Sequence, residues 1–225
     1  MNRDILIAHR YRALQDLGHG GEADVFLCED TQSDKKAAVK VYRKNVHPEQ
    51  EEQDSLLALN HENLVNILDF GVWNQRFIEA MEYVSGGTLD HHMPFSEEFL
   101  VKIVLPQVVE ALNYLHQNRI IHRDLKPTNL FFEDEQQRKV LLGDFGISKK
   151  MKGDLSLQYS SEGRQSVEYA APELIIREFG REVDYYALGI TLMVLFKGVS
   201  PFHYLIKDEK QRNEHRIRSI HISVL

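Results

Sequence analysis

The chain has 225 residues, of which 43% are hydrophobic and 27% charged, as in globular proteins and unlike disordered or disulfide-stapled chains. Its net charge of -7 argues against binding to nucleic acid or to an anionic membrane surface, because both need a basic surface. The single cysteine, Cys28, cannot form an intrachain disulfide, so we expect a cytoplasmic protein in a reducing compartment.

The first part of the chain has the pattern of a small antiparallel sheet with one helix. Short apolar runs, broken by glycines and a polar turn, predict three antiparallel strands over residues 11–42. An early proline, acidic first turns and leucines three positions apart predict a helix over 48–60. Two more strands are predicted over 64–70 and 77–83. A strong breaker begins at Ser85, and we therefore place a domain boundary after residue 84.

The second part opens with a long amphipathic helix. Apolar residues spaced three and four apart predict it over residues 96–117, with Val101 and Leu105 on its apolar face. Pro106 lies inside this helix, and a mid-helix proline is destabilising by about 3 kcal/mol. Either the helix bends at this proline or its boundary differs from the one that the periodicity indicates.

The remaining elements give the fold class. A short strand is predicted over 119–121, a hairpin pairs 130–132 with 140–142, and residues 147–165 are Ser-rich and irregular. A nearly all-apolar helix over 184–196 is too short to cross a bilayer, which takes about 20 residues, so we expect it to be buried in protein. Strands first and helices afterwards predict an α+β fold with no membrane span.

The strongest chemical signal is the segment His122–Asn129, which Asp144-Phe145-Gly146 and then Ala171-Pro172-Glu173 follow. Asp124 and Asn129 lie on one loop after a strand, so their oxygens can be aimed at one point. Asp144, on the next hairpin, can meet them there. Such oxygens suit Mg²⁺ beside a hydroxyl that must lose its proton, although Asp and Asn also cap ordinary turns.

In order and spacing these motifs resemble those of a eukaryotic-type (Hanks-type) Ser/Thr protein kinase domain, over about residues 11–202. Tyrosine kinases usually carry Ala or Arg where Lys126 stands, so the loop resembles the Ser/Thr branch. The resemblance implies a two-lobed fold. A nucleotide-binding N-lobe over 1–84 has a small antiparallel sheet and one helix, and a mainly helical catalytic C-lobe covers 85–225.

The same resemblance implies roles for the motif residues. Asp124 would accept or orient the proton of a protein Ser or Thr hydroxyl, and Lys126 would steady the γ-phosphate of ATP. Asn129 and Asp144 would hold Mg²⁺. The expected cofactors are therefore ATP and Mg²⁺, and the expected partner is a protein substrate.

The nucleotide contacts are also implied by the resemblance. Lys40, in a strand that reads Ala38-Val39-Lys40-Val41, would contact the α- and β-phosphates with Glu52 as its partner, and Glu49 and Glu51 are the alternatives on other helix faces. The glycine stretch would cover the phosphates, with Ala23 in place of its third glycine. The expected set around the nucleotide is Leu17, Gly18, Gly20, Val25, Ala38, Lys40, Glu52, Met81, Glu82, Val84 and Phe131.

The segment between Asp144 and Glu173 would gate activity. Arg123, next to the predicted catalytic Asp, is the residue type that holds a phosphorylated activation loop in this family. The nearest candidates for such a phosphate are Tyr159, Ser160 and Ser161. Solvated loop hydroxyls are an equally good interpretation of these three residues.

The pattern departs from the family after the predicted buried helix, where only a short polar tail from Pro201 to Leu225 remains. We therefore expect a C-lobe that lacks its last helices and leaves apolar surface for a partner to cover. A natural short form, a truncated product and an adapted minimal lobe all stay open. The main hypothesis is an active Ser/Thr kinase. The alternative is a weak or inactive kinase-like module that binds nucleotide or a partner as a scaffold or regulator.

Overall fold

A computed structural model describes residues 5–21, 23–43, 50–145, 149–150, 168–175 and 180–201. The chain divides into two compact units, Met1–Ser85 and Gly86–Leu225. Within the described residues, no helix is both long and apolar enough to span a membrane. The predicted activation-segment candidates Tyr159, Ser160 and Ser161 lie outside these ranges.

The first unit is built on a six-stranded antiparallel sheet with the strand order β1-β2-β3-β4-β6-β5. Its strands are β1 (Leu6–Ile7), β2 (Tyr11–His19), β3 (Ala23–Asp30), β4 (Lys35–Tyr42), β5 (Ile67–Trp73) and β6 (Arg76–Glu82). The three strands predicted over residues 11–42 are confirmed. The two later strands end one or three residues away from their predicted limits, and Trp73 closes β5 rather than lying in the turn.

The two faces of this sheet have different compositions. One face carries an apolar core that includes Tyr11, Cys28, Val39 and Ile78, all at most 1% exposed. The opposite face carries the alternating residues of the same strands, because successive side chains in a strand point to opposite sides. Val25 of β3, Ala38 and Lys40 of β4 and Met81 of β6 belong to this second face, whereas Glu82 pairs with Ala37 of the apolar core.

One helix, α1 (Gln50–Leu57), packs against β5. It is shorter than the predicted span of 48–60, and residues 44–49 lie outside the described part of the chain. Leu56 is buried and Glu52, four positions earlier, is half-buried, whereas Glu51 is exposed. Residues four apart share a helix face, so Glu52 lies on the face that α1 turns toward the unit's interior.

The helix predicted over 96–117 is present, but it changes its pitch in the middle. It consists of α2 (Glu97–Phe99), a π-helical segment Leu100–Val104 and α3 (Leu105–Gln117). Pro106 follows the π segment directly, has no N–H to donate and would crowd the carbonyl one turn earlier in a regular α-helix. The wider turn, closed by the Leu105 N–H on the Leu100 carbonyl, accommodates the proline without ending the helix.

This change of pitch corrects one expectation. Val101 was predicted on the apolar core face, yet it is 54% exposed. A π turn inserts an extra residue, so residues before it are rotated relative to the face that α3 continues. On α3 the predicted face is buried at Val108, Ala111, Leu112 and Leu115.

Short strands and one apolar helix complete the second unit. The hairpin of β8 (Leu130–Phe132) with β9 (Val140–Leu142) has the predicted limits. β7 (Ile120–Ile121) pairs with β10 (Lys149–Lys150) and begins one residue later than predicted, because Arg119 has a left-handed φ of 61°. With these elements the predicted α+β fold, with its antiparallel sheet and helix first and mainly helical second part, is confirmed.

The apolar helix α4 (Glu182–Lys197) ends at Gly198, whose φ of 76° is the left-handed cap that glycine adopts readily. Half of its 16 residues are buried, whereas Tyr185, Met193 and Phe196 are 38%, 48% and 42% exposed. An open apolar groove lies between α4 and the start of the long helix, lined by Glu97, Leu100, Val101, Leu105, Leu192, Met193 and Phe196. The expected partner on this surface stays a prediction.

Candidate functional site

The loop that carries the predicted catalytic residues is held between two strands of the second unit. It leaves β7 at Ile121, closes a short 3₁₀ turn over Pro127–Asn129 and enters β8 at Leu130. The carbonyl of Leu125 accepts the Thr191 hydroxyl of α4 at 3.3 Å. Contacts at both ends and in the middle therefore fix the loop against the helical body of this unit.

Within this loop, Asp124, Lys126 and Asn129 come together as predicted. The Lys126 Nζ lies 2.6 Å from Asp124 Oδ2, and the Asn129 Nδ2 donates to the same oxygen at 3.0 Å and to the Asp124 carbonyl at 2.8 Å. The Asp124 side chain retains 14% exposure. Because both side-chain contacts use Oδ2, Oδ1 is the oxygen on which a substrate hydroxyl could place its proton.

The buried carboxylate of Asp184 stabilises the loop through hydrogen bonds to its backbone. Asp184 of α4 is fully buried and accepts the backbone N–H of His122 at 3.0 Å and that of Arg123 at 2.8 Å. Nε2 of His116, at the end of α3, donates to it at 2.8 Å. Arg123 has a left-handed φ of 70°, a conformation that these hydrogen bonds help to hold. Asp184 thus positions the residue that directly precedes Asp124.

His122 links this loop to the segment that leads to Asp144. Its Nδ1 accepts the Asp124 N–H at 3.2 Å and its Nε2 donates to the Gly143 carbonyl at 3.1 Å, so the tautomer protonated on Nε2 satisfies both contacts. The Gly143 N–H donates to the carbonyl of Asn129 at 3.0 Å. The His122 ring also meets Phe145 edge to face, with 5.5 Å between ring centroids.

The predicted metal ligands Asn129 and Asp144 lie at the same end of the β8–β9 hairpin. Asn129 directly precedes β8 and Asp144 follows β9 by two residues, with the Gly143 to Asn129 hydrogen bond between them. Since its Nδ2 is bound to Asp124, the Asn129 Oδ1 faces away from that carboxylate and accepts the Thr128 hydroxyl at 3.4 Å. Amide and carboxylate oxygens are ligands that Mg²⁺ accepts. No cluster of three or more His, Cys, Asp or Glu side chains suited to a metal occurs among the described residues, and the binding of Mg²⁺ by Asn129 and Asp144 stays a prediction.

In the first unit, the glycine stretch forms the turn between β2 and β3. Gly20 N–H donates to the Ala23 carbonyl at 2.8 Å, and the Asp16 carboxylate accepts the Gly18 N–H at 3.1 Å. Leu17 is 41% exposed beside them. Ala23, in place of the third glycine, is buried and packs in a cluster with Tyr42 and Phe77. Its methyl group therefore anchors the base of the turn rather than its tip.

A histidine at the end of β2 bridges two carboxylates. His19 Nε2 lies 2.6 Å from Asp16 Oδ2, and its Nδ1 lies 3.0 Å from Asp24 Oδ1. The hydrogen bond to Asp24, followed by the charge of Asp16, raises the pKa of His19. Arg76, and then His19, hold the pKa of Asp24 below its usual range. These contacts join β2 and β3 across the turn.

The strand register places Val25, Ala38, Lys40 and Met81 on one face of the sheet. Lys40 pairs with Val25 of β3, and Ala38 pairs with Met81 of β6. Residues directly opposite each other share a face, as do residues two apart along one strand. Glu52 is half-buried on α1, and its pairing with Lys40 stays a prediction.

The predicted adenine contacts follow the end of β6. The Glu82 N–H donates to the Asn66 carbonyl at 2.9 Å, and the Glu82 carboxylate accepts the Asn66 N–H at 2.9 Å. Any contact from the Glu82 main chain to adenine would therefore use its carbonyl. Val84 lies two residues beyond the end of β6, and its contact with adenine stays a prediction. In the second unit, half-buried Phe131 pairs with Leu141 of β9.

Three supporting residues were missed by the sequence reasoning. His116 and Asp184 are buried, and their contacts join positions 68 residues apart in the chain. Glu79 is a buried carboxylate on β6, at 3% exposure. The signals that could have found them are an acid at the start of an apolar helix, a histidine on an apolar helix face, and an acid inside an apolar strand.

Comparison with known families matches residues 11–224 to the protein kinase domain. The chain is 33% identical over 207 residues to the serine/threonine-protein kinase PrkC of Bacillus subtilis, covering 87% of this chain and 32% of that protein. It is 33% identical over 210 residues to the probable serine/threonine-protein kinase PknB of Lactococcus lactis, covering 88% and 33%. With PknJ of Mycobacterium tuberculosis, a serine/threonine-protein kinase, it shares 31% over 204 residues, covering 85% and 34%. The chain spans about a third of the length of these curated relatives.

Proposed function

Because the chain belongs to the protein kinase family, we propose that it transfers the γ-phosphate of ATP to Ser or Thr hydroxyls of protein substrates. The observation that carries the proposal is the group around Asp124, whose Oδ2 is held by Lys126 at 2.6 Å and by Asn129 at 3.0 Å. The names of the relatives, all serine/threonine-protein kinases, favour this substrate class.

In the proposed reaction Asp124 orients the substrate hydroxyl and takes up its proton as the oxygen bonds to phosphorus. The bond from that phosphorus to the leaving ADP oxygen breaks in the same transfer. The Lys126 ammonium lies beside the Asp124 carboxylate, and its positive charge can stabilise the negative charge of the transferred phosphoryl group. When bound, Mg·ATP supplies this phosphoryl group and the metal charge that offsets the charge on its oxygens.

Three further residues would prepare the site without touching the protein substrate. Asn129 fixes the carboxylate through its amide nitrogen and would offer Oδ1 to the metal. Asp184 holds the two backbone N–H groups that precede Asp124. Lys40, on the sheet of the first unit, would contact the α- and β-phosphates.

Phosphate transfer from radiolabelled ATP to generic protein substrates tests the proposal, with Asp124→Asn as the variant. General-base catalysis contributes a factor of about 10² to 10⁴, so turnover should fall by that amount while ATP affinity changes little. Glu98→Gln, which alters an exposed carboxylate paired with Lys102, is the matched control and should label like the wild type. Equal labelling by the wild type and Asp124→Asn would contradict the assignment.

Thermal melting with Mg·ATP separates the proposal from the non-catalytic alternative. A ligand at 100 times its dissociation constant adds about 2.7 kcal/mol of stability to the folded state. A melting shift together with phosphate transfer supports the enzyme. A melting shift without phosphate transfer supports a nucleotide-binding scaffold or regulator. If the melting temperature does not change at saturating nucleotide, both the active kinase and the nucleotide-binding scaffold are contradicted.

A further inference from the structure

Glu79 is a carboxylate buried inside the sheet of the first unit. It lies in the middle of β6 and is 3% exposed. Glutamate is almost never fully buried unless it is paired, because moving an unpaired charge out of water is strongly unfavourable. The residues that face Glu79 on the neighbouring strand therefore decide what this side chain does.

Two residues of β4 face it. Tyr42 donates its hydroxyl to Glu79 Oε2 at 2.7 Å, a short hydrogen bond between two buried side chains. Lys40 is the residue directly opposite Glu79 in the antiparallel register. The Cβ atoms of such a pair are about 4.5–5.5 Å apart, and both side chains leave the sheet on the same face.

The ammonium of Lys40 turns toward the same group. Its Nζ lies 5.0 Å from the centroid of the Tyr42 ring, within the range of a cation–π contact. The hydroxyl of that same ring is bonded to Glu79. One aromatic side chain thus contacts both the ammonium of half-buried Lys40 and the carboxylate of Glu79.

We propose that Glu79 is a positioning residue for Lys40, which it holds in place from the neighbouring strand. The proposal rests on the proposed function, in which Lys40 contacts the phosphates of ATP. The sequence predicts Glu52 of α1 in this role, and that pairing stays a prediction. Because Glu79 and Tyr42 belong to the same sheet as Lys40, their contribution does not depend on the position of the helix.

A charge pair inside the sheet has a measurable consequence for the lysine itself. An opposite charge within about 4–6 Å favours the charged form, and its removal raises the fraction of free amine by about tenfold or more. Lys40 should therefore react slowly with an amine-specific reagent in the wild type. A purely structural Glu79, satisfied by Tyr42 alone, would leave the reactivity of Lys40 unchanged.

The first test measures the rate at which acetic anhydride modifies Lys40, by mass spectrometry of the nucleotide-free full chain at fixed pH. Glu79→Gln should raise this rate about tenfold, whereas the control Glu29→Gln, which alters an exposed carboxylate paired with Arg12 in the same sheet, should leave it within about twofold. Equal rates in the wild type and Glu79→Gln would overturn the proposal. No ATP is present, so this result does not depend on whether the chain is an active kinase.

The second test covers the case in which Glu79→Gln folds poorly. Removing one member of a buried ion pair is more destabilising than removing both, because the remaining charge is left unpaired. The double variant Glu79→Gln/Lys40→Met should therefore melt at a higher temperature than whichever single variant is less stable. If the decrease in melting temperature of the double variant equals the sum of the decreases in the two single variants, the pairing is refuted.

The third test connects the pair to nucleotide binding. Calorimetry with Mg·ATP should show weaker binding in Glu79→Gln than in the wild type, and no further loss when the same change is made in Lys40→Met. Wild-type affinity in Glu79→Gln would overturn the proposal. If the wild type itself does not bind Mg·ATP, the proposed function fails, and the amine reactivity still decides whether Glu79 holds Lys40.

Discussion

Replacing Asp184 with alanine tests the support of the catalytic loop most directly. The carboxylate is fully buried and accepts three hydrogen bonds, from His116 Nε2 at 2.8 Å, from the His122 N–H at 3.0 Å and from the Arg123 N–H at 2.8 Å. Alanine has no carboxylate, so these three donors lose their hydrogen-bond acceptor. The surrounding side chains stay in place, so little water can replace the lost oxygens.

The expected magnitude follows from the three donors. Each buried donor left unsatisfied is destabilising by about 1–3 kcal/mol, and partial relaxation lowers the sum, so we expect a loss of about 3–6 kcal/mol. Native domains are stable by about 5–15 kcal/mol. Asp184→Ala should therefore leave the second unit close to unfolding, and phosphate transfer should be lost with it.

Urea denaturation followed by circular dichroism measures this effect. The midpoint should fall strongly in Asp184→Ala and less in Asp184→Asn, which keeps one of the two oxygens. Glu98→Ala is the control, because it breaks an exposed ion pair with Lys102 that contributes only about 0.3–0.5 kcal/mol. If Asp184→Ala unfolds at the same urea concentration as Glu98→Ala, the three hydrogen bonds do not support the loop and the reasoning is wrong.

Three further predictions concern the two units separately. Arg10 holds the pKa of buried Asp30 well below its usual range. The Asp30 carboxylate therefore stabilises the fold above about pH 4, and this contribution is lost as the pH falls toward the lowered folded-state pKa. Asp30→Asn should make the urea midpoint depend less on pH in this acid range. Gly86→Ala should be destabilising by about 1–3 kcal/mol in urea denaturation, because its methyl group would collide with the carbonyls of Phe132 and Asp134, whereas Gly21→Ala meets no atom within 4 Å and is the control. Burial raises the pKa of the Cys28 thiol to about 12, so a thiol reagent at neutral pH should label it only as fast as the sheet opens, and labelling at the rate of a free thiol would contradict its burial.

Much of the fold follows from local patterns along the chain. Short apolar runs and turn residues predicted β2 to β6 and both limits of the β8–β9 hairpin, but not β1, because these patterns depend on near neighbours. The same patterns did not predict the π turn before Pro106, since its position depends on how the widened helix packs. Helix and strand ends also moved by a few residues for this reason.

The sequence by itself determined the family and the residues that carry the proposed chemistry, because Asp124, Lys126 and Asn129 lie within six positions of each other and act from one loop. Their supporting partners were decided by the tertiary structure. Asp184 reaches the His122 N–H across 62 positions, and Glu79 faces Lys40 only because β6 pairs with β4 in this register. Buried polar groups need partners wherever the fold supplies them, and local spacing does not specify which distant residue that will be.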